Sequence, residues 1–95
     1  MKSKRGILTL NIKKRSKELL HYAITQTELR LMPYIMFTVQ NSKQIDTTKI
    51  NAKEQEILEK WHEMEYITLI GNVLHITKEF WSAICELVYM GYVDI

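Results

Sequence analysis

The chain has little of what cross-links or punctuates a fold. Its 95 residues hold one cysteine, one proline and three glycines. A single Cys cannot close an intramolecular disulfide, and no CxxC or paired-histidine spacing is present to hold zinc. No run approaches the ~18 consecutive apolar residues of a membrane span. The basic start has no apolar stretch behind it and does not read as a signal peptide. A glycine-rich phosphate loop and a spaced Ser/His/Asp constellation are also missing. These absences set the expectations: a small reduced cytoplasmic domain, with no metal, no cofactor, no membrane partner and no enzymatic activity.

What is present is enough apolar material for a core, 46% of the residues, in a length typical of one domain. We expect a flexible basic tail over 1–6 and a single α+β domain over 7–95. The net charge of +2 conceals a split. Residues 1–30 sum to +6 and residues 31–95 to −4. The basic end carries Lys2, Lys4, Arg5, Lys13, Lys14, Arg15 and Lys17. Such asymmetry suits an arm that meets polyanions, and it equally suits a solubilising tail.

Several elements are legible along the chain. Leu8, Leu10 and Ile12 alternate with Thr9 and Asn11, which predicts a short strand over 7–12. Ser16 then caps a helix over 17–24. Thr25-Gln-Thr-Glu28 has the form of a capping box and opens a helix to about Gln40, with Leu29, Met32, Ile35, Met36 and Val39 on one face. Pro33 inside it predicts a kink or break near Leu29–Met32. Asn41-Ser-Lys-Gln is a turn, and Asp46 caps a single helical turn. Asn51 with Glu54 opens a helix over 52–65, whose apolar stripe is Ile57, Leu58, Trp61 and Met64. Residues 66–76 predict a hairpin about Gly71-Asn72, with Ile70 opposite Val73, Leu69 opposite Leu74 and Ile67 opposite Ile76. Thr77 caps a helix over 78–90, which Gly91 ends from the position after the C-cap. Tyr92–Ile95 predicts a short strand with Val93 and Ile95 inward.

No constellation of catalytic type emerges from these elements. His21, His62 and His75 fall on three separate elements. Cys85 sits on a buried helix side beside Glu86 and apolar groups, where a thiol is inert. Glu54, Glu56, Glu59 and Glu63 line one solvated helix and read as surface charge.

The order helix 26–40, short turn 46–50, helix 52–65, hairpin 66–76 resembles a winged helix-turn-helix. The short, Lys/Ile/Asn-rich chain also resembles small proteins carried by phages and prophages. The first resemblance implies a regulatory DNA-binding protein whose second helix enters the major groove while the wing touches the backbone. Here helix 52–65 is net −3 and the wing has no Lys or Arg. Nucleic acid must then be held by Lys2, Lys4, Arg5, Lys13, Lys14, Arg15 and Lys17. The alternative is an adaptor or inhibitor that binds a host protein. It would use the acidic face at Glu56, Glu59 and Glu63. The apolar surplus around Phe80, Trp81, Tyr89, Met90 and Tyr92 would supply anchors or a homodimer seam, unless it fills the protein's own core.

Overall fold

The computed structural model describes residues 6–41, 44–71 and 73–93. It is an α+β fold of four helices and one two-stranded hairpin. The elements run α1 (Leu10–Leu20), α2 (Gln26–Gln40), a three-residue 3₁₀ turn (Thr47–Lys49), α3 (Ala52–Glu63), β1 (Ile67–Ile70), β2 (Val73–Ile76) and α4 (Lys78–Val88). Helix α4 packs against both α1 and α2, α3 packs against α2 and β1, and α2 touches β2.

The expected strand over 7–12 and the helix over 17–24 are one helix, α1. The alternation at Leu8, Leu10 and Ile12 is outweighed by a second pattern. Ile12, Ser16 and Leu20 recur one turn apart and are all buried, whereas Leu10 is 77% exposed. The N-cap is Thr9, whose hydroxyl accepts from the Ile12 N–H at 3.2 Å. Ser16 lies inside the helix instead. Its hydroxyl donates to the Lys13 carbonyl at 2.8 Å and accepts from the Ile24 N–H at 3.1 Å. The buried hydroxyl is therefore fully used, and it ties the chain after α1 back onto the helix. His21 closes α1 in the left-handed region, at φ 68°.

Both capping boxes form. Thr25 and Glu28 exchange backbone bonds at the start of α2, and Asn51 and Glu54 do so at the start of α3. Asp46 accepts from the Thr48 N–H and caps the 3₁₀ turn. Two hydrogen bonds from Thr48 hold the Asp46 carboxyl below its ordinary acidity range. Helix α2 runs through Pro33 without a break. One lost backbone bond is outweighed because Leu29, Leu31, Met32 and Ile35 are all buried along its length.

The hairpin pairs in the expected register, Ile67 with Ile76, Leu69 with Leu74 and Ile70 with Val73. Gly71 takes φ +57° at the first loop position, which suits glycine. Gln44 forms an isolated antiparallel bridge to Val73, bringing the segment after α2 alongside the hairpin.

The C-terminal end departs from expectation. Gly91 does not stop α4. The helix widens into a π-type turn over Tyr89–Val93, Gly91 is buried within it, and Val93 is 63% exposed where a strand would turn it inward. Asp94 and Ile95 lie outside the described residues. Gly91 is needed for space rather than for a left-handed cap. A Cβ there would come within 3.3 Å of Leu29 and 3.7 Å of Ile12. The same close approach receives Gly6, whose N–H donates to the Gly91 carbonyl at 2.7 Å. Gly6, expected at the end of a flexible tail, is buried and held also by the Gln26 side chain. Residues 1–5 of that tail lie outside the described residues.

An aromatic cluster joins the layers. Trp61 and Phe80 meet edge to face with ring centroids 5.0 Å apart, and Tyr66 stacks on Phe80, also at 5.0 Å. The Trp61 indole N–H donates to the Tyr22 hydroxyl at 2.8 Å, and Tyr22 donates to Glu28. Glu28 is wholly buried, and its carboxylate also accepts from the Thr25 N–H and from Lys60 Nζ at 2.7 Å. Lys60 lies over the Tyr22 ring, 4.3 Å from its centroid. A buried carboxylate needs this many donors, because its desolvation is otherwise uncompensated.

Candidate nucleic-acid interface

The helical geometry of α1 decides which basic residues can act together. Leu10, Lys13, Lys14 and Lys17 follow the i, i+3, i+4, i+7 pattern and form one stripe. The stripe lies to one side of the buried row Ile12, Ser16 and Leu20, and all four residues are exposed. It carries no acid, and none of the three lysines joins an ion pair among the described residues. At 1.5 Å per residue, the stripe extends about 10 Å along the helix axis.

Arg15 is placed elsewhere. Its guanidinium forms a bidentate pair with Glu86 on α4 and also reaches Glu18 at 3.1 Å. These hydrogen bonds push its pKa further up, with Glu86 the larger cause. The pair clamps α1 to α4, so Arg15 is a structural cation rather than a free phosphate ligand. Lys2, Lys4 and Arg5 lie outside the described residues.

The Arg15 pair has a pH signature. The Arg15 hydrogen bonds hold the Glu86 carboxyl below its ordinary 4.5. A depressed carboxyl stabilises the fold above its unfolded value, and that contribution fades as pH falls through the folded one. Glu86→Gln is therefore expected to lower the melting midpoint by a few degrees at neutral pH. The difference from the unaltered chain should shrink as pH falls below 4.5. Thermal melts across that range check it, and a difference that persists in strong acid would contradict the clamp.

The acidic face is equally well ordered. Glu56, Glu59 and Glu63 are exposed along one stripe of α3, opposite buried Ile57, Leu58 and Trp61. Lys53 and Lys60 occupy a flank of the same helix, beside an open cleft of about 350 Å³ shared with Thr25 and Thr27 at the start of α2. Lys60 is already paired with Glu28, so the cleft offers an anion little beyond Lys53.

The aromatic set splits between core and surface. Phe80 is wholly buried and belongs to the core. Trp81, Met90 and Tyr92 are half-buried and pack against that core. Tyr89 is 54% exposed. Burial pushes the Tyr92 phenol and the Cys85 thiol up from their ordinary values. A raised thiol is a poor nucleophile, which fits the inert reading of Cys85. Among the described residues, no group of three or more His, Cys, Asp or Glu could hold a metal ion, and no helix is long and apolar enough to cross a membrane.

No protein family, no curated protein and no solved structure was found to match the chain.

Proposed function

We propose that this is a small regulatory protein that binds nucleic acid through the outer face of α1, on a winged-helix-like domain. The observation that carries the reading is the stripe of Lys13, Lys14 and Lys17, exposed, unpaired among the described residues and free of acids. Lys2, Lys4 and Arg5 join the chain at its start. Three ammonium groups along one helix face can neutralise backbone phosphates, and phosphate neutralisation supplies most non-specific affinity.

The order of elements supports the winged-helix likeness: α2, a bridged segment at Gln44, a helical turn, α3 and a hairpin. It departs from the usual pattern in two ways. The first helix of the helix-turn-helix pair is only the Thr47–Lys49 turn. The helix in the recognition position presents three glutamates to solvent, which repel phosphate. Docking therefore proceeds by α1, with α3 turned away from the duplex.

The test is a salt series of duplex binding. Three phosphate contacts give a plot of log K against log salt with a slope of about −2.7, steepened by any contribution from Lys2, Lys4 and Arg5. The variant K13Q/K14Q/K17Q should bind at least about tenfold more weakly at low salt and lose most of the slope. A missing mobility shift at low salt, or a shift that the triple variant retains in full, would refute the reading.

A further inference from the structure

The surface holds a second pairing of shapes and charges, independent of nucleic acid. On one side, Leu10 stands 77% exposed at the start of α1, with Ile7 half-exposed before it and Lys13, Lys14 and Lys17 around it. An exposed leucine within a lysine stripe adds nothing to phosphate binding, so it asks for another explanation.

On the other side, between α3 and β1, lies an open depression of about 300 Å³. Half-buried Leu69 forms its apolar part over the buried Leu58, and Gln55, Glu59, His62 and Glu63 form its rim. Lys53 and Lys60 lie on the opposite flank of α3, so no Lys or Arg lines this side. Glu56 sits with Lys53 and Lys60 on that other flank.

We propose that the α1 stripe of one molecule docks into the α3–β1 depression of a second copy, with Leu10 entering against Leu69 while Lys13, Lys14 and Lys17 meet Glu59 and Glu63. The occupant is argued from the chain itself. The two faces carry opposite charge, each beside an exposed or half-exposed leucine, and α1 and α3 pack on different neighbours. Every molecule therefore offers both faces. A contact between unlike patches is heterologous, so it propagates head to tail into a ring or an open chain rather than closing as a two-fold dimer.

That geometry permits a decisive experiment on the full chain, freed of nucleic acid by nuclease. In sedimentation runs at low salt, the average mass should rise above 11.3 kDa with concentration and return to it at high salt. Leu10→Gln should weaken the association about tenfold, the loss of one buried leucine contact. L10E/K14E removes one face and E59K/E63K the other, so each variant alone should sediment as the single chain.

Mixed in equal amounts, these two variants should form a one-to-one dimer and nothing larger, because each retains the face that its partner lacks. All the substituted positions are exposed or half-exposed, and melting curves matching the unaltered chain confirm that both variants are folded. A chain that stays at its own mass at the highest concentration in low salt would overturn the proposal. So would a mixture no heavier than its parts, or single-face variants that associate as the unaltered chain does.

Discussion

Trp61→Ala is expected to leave the domain unfolded, or nearly so, at ambient temperature. Trp61 is fully buried, meets Phe80 edge to face and donates its indole N–H to Tyr22. Truncating a buried tryptophan costs about 3–5 kcal/mol through lost transfer energy and the cavity left behind. Small domains have only about 5–15 kcal/mol in total, and one this short lies toward the lower end. Each kcal/mol shifts the midpoint of a domain of this size by about 4–8 °C, so the fall should be some 12–40 °C. Thermal or urea unfolding followed by circular dichroism measures it. Trp61→Phe separates the causes: it retains the ring contact with Phe80, loses the donor to Tyr22, and should recover more than half of the loss. A drop of less than about 1 kcal/mol for the alanine variant would mean that the aromatic cluster does not hold the layers together.

What was legible in the sequence was what is local. A capping box is written in four consecutive residues, and both of them, Thr25 with Glu28 and Asn51 with Glu54, form as read. The hairpin register follows from two loop residues and strict alternation, so every pair matched. The Asp46 turn belongs to the same class.

Where the reading failed, two local patterns competed or a distant contact decided. Leu8, Leu10 and Ile12 alternate as in a strand, while Ile12, Ser16 and Leu20 repeat as in a helix. The second pattern was hidden because its middle residue is a serine, which becomes an acceptable core residue only once Lys13 and Ile24 take up its hydroxyl. Gly91 looked like a helix stop from its neighbours, yet its role is set by Leu29 and Ile12, more than sixty residues away. Of the kink or break expected at Pro33, the break does not occur; the sequence does not show how completely the face around it is buried.

The candidate surfaces follow the same division. The i, i+3, i+4, i+7 spacing of Leu10, Lys13, Lys14 and Lys17 was present in the sequence, but it has meaning only once residues 10–20 are helical. The strand reading placed Leu10 on one face with Leu8 and Ile12. The acidic stripe of Glu56, Glu59 and Glu63 was visible because its helix was read correctly. Arg15 could not be told from the other basic residues, since its partner Glu86 lies on another helix, 71 residues along. The depression beside α3 needs Leu69 from β1, and no local pattern brings that side chain to Leu58.

Tyr22→Phe is the second large effect, and it isolates the polar network from the aromatic packing around it. The substitution removes one oxygen and almost no volume. That oxygen is the acceptor for the Trp61 indole and a donor to the buried Glu28. Without it, a buried N–H is left unpaired and a buried carboxylate loses one of its donors, at about 1–3 kcal/mol for the orphaned group and more where charge is involved. The expected cost is about 2–4 kcal/mol, large for the loss of one hydroxyl.

The network also has an alkaline signature. Burial, then the bond to Glu28, pushes the Tyr22 phenol above its ordinary value of 10. The folded chain keeps this proton where the unfolded chain releases it. Stability from the group is therefore complete below pH 10 and declines as pH rises beyond it. The unaltered chain should lose stability in alkali, whereas the Tyr22→Phe chain, weaker at neutral pH, should lose less over the same interval. Urea midpoints at neutral pH and above pH 10 give both numbers, and parallel declines in the two chains would show that Tyr22 does not keep its proton in the fold.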